Sequence, residues 1–166
     1  MKLLKKLNDF LCECLRAMCL VLVSIFSCIV IFQVLARNYL LISVPWTDEM
    51  AVIFFVWSVM AGAAIGVRKR VHYLVDIFPA SYVRVNAVLD MAANILVFLA
   101  IIVLFHGGVV YFKMGMSRNF NSVIITMAWL FISLPISAGC MFLFMLENFL
   151  GDVKRIKKCF AKESGP

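Results

Sequence analysis

Long apolar stretches alternate with short charged ones along this chain. Uncharged windows run over residues 17–36, 50–67, 91–112 and 119–146. A helix needs roughly 20 residues, each rising about 1.5 Å, to cross a hydrocarbon core. The windows therefore predict four transmembrane helices, over about 17–36, 50–67, 88–112 and 123–146. The last window is longer than one crossing requires, and its start at 119–122 is polar enough for an outer loop. Pro135 lacks an amide donor and predicts a kink in the fourth span.

Residues 3–16 have a different pattern. Leu3, Leu4, Leu7, Phe10, Leu11, Cys14 and Leu15 recur at helical spacing, with Lys2, Lys5, Lys6, Asp9, Glu13 and Arg16 between them. That is an amphipathic helix suited to the membrane interface; the other reading is a plain extension of the first span. The expected fold is an all-α membrane protein of one domain, 1–166. It has four transmembrane helices, an N-terminal interface helix over about 3–16 and a basic tail over 152–166.

Composition removes the soluble alternatives. Hydrophobic residues make up 64% of the 166-residue chain and charged ones 15%, against about 25% charged in ordinary soluble domains. The charge of +7 would suggest nucleic acid, but position changes that reading. Lys2, Lys5, Lys6, Arg16, Arg68, Lys69, Arg70, Arg84, Lys154, Arg155, Lys157, Lys158 and Lys162 fall on one side of the predicted bundle. Only Arg37, Lys113 and Arg118 fall on the other. The positive-inside rule then places both termini and the middle loop in the cytoplasm, and no nucleic-acid partner is expected. The first span reads as an uncleaved anchor, because its apolar run is long and Asp9 and Glu13 precede it.

Candidate chemistry is sparse. Cys12, Cys14, Cys19, Cys28, Cys140 and Cys159 contain no CxxC pair and lie at cytoplasmic or intramembrane positions, where disulfides are not expected. His72 and His106 fall toward opposite membrane faces and so cannot share one haem. Glu49, Asp90 and Glu147 sit at span ends, leaving no ionisable group at mid-membrane of the kind an ion-coupled carrier uses. No nucleophile, base and orienting group come together. No enzyme activity, cofactor or metal site is expected, and the chain reads as a scaffold or partner subunit.

Some residues suggest contacts. Gly62 and Gly66 form a GxxxG spacing among alanines, and Ser133 and Ser137 repeat it, so both pairs are candidate helix–helix contacts within the chain or with a partner. Arg68, Lys69, Arg70 and His72 could hold anionic lipid headgroups or simply set topology. Asp90 could pair with Arg84 or with the 68–70 cluster. In the outer hairpin Trp46 suits the membrane boundary, and Glu49 could pair with Arg37 or face an external partner.

Taken in order, Gln33-Val34-Leu35-Ala36-Arg37-Asn38-Tyr39, Pro45-Trp46-Thr47-Asp48-Glu49, Trp57, Gly62-Ala63-Ala64, Arg68 and His72 resemble the small membrane subunit of TRAP (tripartite ATP-independent periplasmic) transporters. Trp129 with Leu134-Pro135-Ile136-Ser137 resembles that family's fourth span, although Leu130 and Phe131 stand where a tyrosine is common. The resemblance covers about residues 15–150. It implies a bacterial inner-membrane scaffold subunit that binds a large multi-span permease carrying the sodium and substrate sites. It also implies a periplasmic binding protein delivering an organic acid, of the sialic acid or C4-dicarboxylate class. Arg37, Trp46, Asp48, Glu49, Lys113, Arg118 and Asn119 are then candidates for docking that protein. The rival readings are an independent four-span dimeric transporter and a membrane-anchor subunit of a redox enzyme.

Overall fold

A computed structural model describes the backbone of residues 2–69 and 83–161, and the side chains of 5–69, 89 and 91–149. The helices are α1 (Lys2–Asn38), α2 (Pro45–Lys69), α3 (Val83–Met116), the short α4 (Ala128–Phe131) and α5 (Ser133–Ala161). Among the described residues four stretches are long and apolar enough to span a membrane: Lys5–Asn38, Pro45–Lys69, Met91–Met116 and Ala128–Phe149. In hydrocarbon a spanning segment must satisfy its own backbone groups, and the helix does so within itself.

The expected separate interface helix is not a separate element. Residues 2–38 form one helix, about 55 Å long at 1.5 Å per residue, against a hydrocarbon core of about 30 Å. Its first turns extend past the membrane-length portion instead of bending away from it. Asn8 and Leu15 are buried there, whereas Leu7 and Phe10 are exposed.

The fourth span is broken where Pro135 requires it. With no N–H, Pro135 cannot bond the carbonyl of Phe131, four residues earlier. The helix interrupts at Ile132, between α4 and α5. The Ser133 hydroxyl donates to the Leu130 carbonyl at 2.7 Å, and Ile132 N–H bonds Ala128 O at 2.9 Å. The expected kink is therefore a one-residue break.

Packing produces an open row rather than a closed square. Helix α1 packs on α2, α2 on α5, and α5 on α3; α1 touches α5 only marginally, and among the described residues α3 meets neither α1 nor α2. The inner members of the row carry most of the core. Ala61, Ala64 and Val67 of α2 meet Met141, Phe144 and Met145 of α5, with Leu15 and Ile101 contributed by the outer helices. The alanines let helix axes approach closely in an apolar solvent. Outer helices α1 and α3 expose apolar faces, including Leu20, Ile31, Leu96, Leu99 and Val103.

Candidate functional site

Three places in this row concentrate the specific interactions. The first lies at the end bearing Lys5, Lys6 and Lys69, called here the basic end. Arg68, near the close of α2, is only 14% exposed at its side chain. Its guanidinium bonds the Asp9 carboxylate of α1 and the Glu147 carboxylate of α5, the latter at 2.9 Å. It also lies over the Phe144 ring, 5.9 Å from the centroid. Asn8, fully buried, donates from Nδ2 to Glu147 Oε2 at 2.6 Å and to the Leu143 carbonyl at 3.3 Å. Asn148 donates to the Val67 carbonyl at 3.0 Å. The last helical carbonyls have no intrahelical donor, and Asn148 supplies one at the end of α2. Three helices are thereby joined by a largely buried cation held between two carboxylates, a geometry in which the charge is matched by hydrogen-bonded partners.

Of the candidate headgroup residues, Arg68 has its guanidinium engaged within the chain by Asp9 and Glu147. Lys69 remains exposed. Arg70 and His72 lie outside the described residues, as do the side chains of Arg84 and Asp90. The expected pairings of Asp90 with Arg84 or with the 68–70 cluster therefore lie outside the described residues.

The second place is the contact of α3 with α4 and the start of α5. A methyl group built on Gly115 would lie 2.7 Å from Phe131 Cδ2 and 2.9 Å from the Ala128 nitrogen. One on Gly108 would lie 2.8 Å from Leu134 Cβ and 2.9 Å from Pro135 Cδ. Here glycine is required for close approach. Gly62, by contrast, has nothing within 4 Å of such a methyl, so half of the GxxxG pattern faces open space. Ala61 and Ala64 beside it make the internal contact, while Gly66 is half-buried. Ser133 and Ser137 are buried inside the chain. Sequence reasoning missed Gly108 and Gly115. Their separation of seven residues, two helical turns on one face, was the available signal.

The third place is the opposite end, where the docking candidates gather. The Glu49 carboxylate accepts the backbone N–H groups of Asn121 and Ser122, at 2.8 Å and 3.0 Å from Oε1. The Glu49 carboxylate is engaged by these two loop amides rather than by Arg37, with which the sequence allowed it to pair. The loop itself is held by Asn119 bridging to Thr126 and by the Met127 N–H on the Arg118 carbonyl at 2.8 Å. Gln33 of α1 donates to Asp48 of α2. Trp46 leans on Phe32, with ring centroids 6.3 Å apart, and the Trp57 indole N–H donates to the Trp129 carbonyl at 2.9 Å. Arg37, Lys113 and Arg118 are exposed. A cleft of about 490 Å³ lined by Gln33, Arg37, Ser43 and Asp48 opens beside the α1–α2 turn. That turn passes through Leu41, whose φ of 54° is in the left-handed region that non-glycine residues enter at a cost.

Among the described residues no group of three or more His, Cys, Asp or Glu could hold a metal ion. His106 is exposed on α3.

Comparison with known proteins fits this arrangement. The family model described as tripartite ATP-independent periplasmic transporters, DctQ component, matches residues 26–155. The chain is 22% identical over 150 residues to a putative TRAP transporter small permease protein of Haemophilus influenzae strain ATCC 51907 / DSM 11121 / KW20 / Rd, covering 90% of this chain and 91% of that one. It is 27% identical over 150 residues to the sialic acid TRAP transporter permease protein SiaT of Haemophilus influenzae strain 86-028NP, covering 83% of this chain but 21% of SiaT. The chain thus spans about a fifth of the length of that relative. Arg68, Gly108, Gly115 and Glu147 fall within the family match, and Asn8 and Asp9 precede it. The chain belongs to the DctQ-component family: it is a small, multi-pass membrane subunit of a TRAP transporter and not an enzyme.

Proposed function

We propose that the chain is a static scaffold subunit, which holds a large permease in the membrane while that permease carries solute and coupling ion. The observation that carries this reading is the open row. Apolar faces of α1 and α3 are left uncovered, and no Asp, Glu, Lys or Arg lies within 17–36, 50–67, 91–112 or 119–146. A mid-membrane ion or substrate site ordinarily needs such a group. The charged side chains that the structure ties up, Asp9, Asp48, Glu49, Arg68 and Glu147, lie outside those four windows. In this reading the basic end is cytoplasmic, by the distribution of lysine and arginine, so both termini lie inside and the membrane is the bacterial inner membrane.

The opposite end then faces the periplasm. Arg37, Trp46, Asp48, Glu49, Lys113, Arg118 and Asn119 border the surface on which a soluble binding protein would dock. Glu49 acts there indirectly, by fixing the loop. Sodium coupling would belong to the large subunit. The solute is an organic acid, and the similarity to the sialic acid permease SiaT favours sialic acid over a C4-dicarboxylate. Gly62, with open space at its Cα, remains a position where a partner helix could approach closely.

The test is affinity purification of the tagged chain from its native membrane in mild detergent. A larger multi-span membrane protein should co-purify in fixed ratio. Purification of the chain alone as a dimer, or with bound haem absorbance, would instead support the rival readings.

A further inference from the structure

The first four turns of α1 present a physical problem. Leu7 and Phe10 are exposed, Lys5, Lys6, Glu13 and Cys14 face outward, and the apolar packing is limited to Leu11, Cys12 and Leu15 against the core. Such an amphipathic segment has another favourable resting place, flat in the membrane interface with Leu7 and Phe10 in the acyl boundary. It stands upright in the structure all the same. What distinguishes the upright position is polar. Asn8 is fully buried with its amide on Glu147 and Leu143 O, and Asp9 completes the coordination of Arg68.

We infer that residues 2–16 form a strap, latched upright against α2 and α5 by Asn8 and Asp9 through the Arg68–Glu147 pair. The division of labour follows from the geometry. Arg68–Glu147 and Asn148–Val67 O join α2 to α5 without any help from α1. The strap's polar ties to that finished corner come from two neighbouring side chains, beside the packing of Leu11, Cys12 and Leu15. Removing them takes away one of the two donors to Glu147 and one of the two acceptors of Arg68, yet leaves the α2–α5 pair and the alanine core in place. The two arrangements of the strap are upright and latched, or released and interfacial, and the free-energy difference between them resides largely in these contacts. This inference concerns the chain itself and stands apart from the scaffold reading.

The experiment uses the full chain, in lipid bilayers and together with whatever membrane partner co-purifies. Spin labels at Lys6→Cys and Lys69→Cys, with the native cysteines replaced by serine or alanine, report the strap. A second pair at Val59→Cys and Ile136→Cys, both exposed positions, reports α2 against α5. The unsubstituted latch should give one narrow strap distance. Asn8→Leu with Asp9→Asn should abolish that single distance in favour of a broad, longer distribution, while the α2–α5 distance stays unchanged. A strap distance unaffected by Asn8→Leu with Asp9→Asn would overturn the inference, because packing alone would then hold the segment. Movement of both distances together would overturn it as well, since the contacts would then be general fold contacts and not a latch.

Discussion

Gly115 leaves no room for a side chain, and that fixes how closely α3 can lie along α4. Gly115→Ala brings a methyl within 3.0 Å of two backbone atoms, which cannot yield as a side-chain tip can. Overpacking of this kind costs about 1–3 kcal/mol. Gly108→Ala meets Leu134 Cβ and the Pro135 ring and should cost a similar amount. Gly62→Ala meets nothing and should be neutral or stabilising by up to about 1 kcal/mol, the difference in helix propensity. Thermal unfolding followed by size-exclusion chromatography should separate Gly62→Ala from the two destabilised variants. The residue scale was also where sequence and structure diverged most. Gly62 and Gly66 drew notice because GxxxG is a known contact pattern, yet a spacing does not say which face of a helix points inward. Arg68 was visible only as one positive charge among several. Its carboxylate partners are 59 and 79 positions away along the chain, and pairing at that range follows from tertiary packing alone.

Glu49 is the second residue whose role becomes specific. Its carboxylate is the acceptor for two loop amides, so Glu49→Ala removes a charge-assisted contact of about 1.5–3 kcal/mol. The effect should be local. Amide hydrogen exchange at Asn121 and Ser122 should quicken, with little change in the core amides around Phe144. Unchanged protection at those two amides would mean that the loop holds its own shape.

At the scale of elements, the break between α4 and α5 has a single chemical origin. Pro135→Ala restores an N–H that can reach the Phe131 carbonyl, so residues 128–136 should form a continuous helix. The amide at 135 should then be protected from exchange. Unaltered exchange in the flanking amides 131–133 would show that tertiary contacts, rather than the missing donor, impose the break. The sequence predicted the disturbance because Pro135 is a backbone effect, written in one residue. It also located the four long helices, because apolar length alone determines what can span a bilayer. It did not reveal that residues 3–16 continue straight into the first span. An amphipathic pattern is equally compatible with lying on lipid and with lying against a protein, and the deciding contacts, Asn8 and Asp9 with Arg68 and Glu147, come from three different helices.

At the scale of the whole molecule, the order α1–α2–α5–α3 could not be read from the chain. Helix α3 is apolar around its full circumference over residues 95–105, so no stripe marks an inward face. In a membrane the solvent gives no preference between burying a leucine and leaving it in lipid. The order is set instead by small residues and polar ties: Ala61 and Ala64, Gly108 and Gly115, and the Arg68 cluster. An open row leaves two broad apolar faces, the shape expected of the scaffold proposed above, which would lie against another protein. It also gives the cluster at the basic end and the clamp at the other end a common purpose. Each stiffens an end of a layer that has no closed core to stiffen it.

The central claim is that this subunit supports transport without performing it. Solute uptake into liposomes tests that most directly, with an inward sodium gradient and sialic acid or a C4-dicarboxylate as solute. The purified chain alone should show no uptake, and uptake should appear when the large membrane subunit and the soluble binding protein are supplied with it. Solute accumulation driven by the chain alone, at a rate that the other two components do not change, would show that the subunit is itself the transporter.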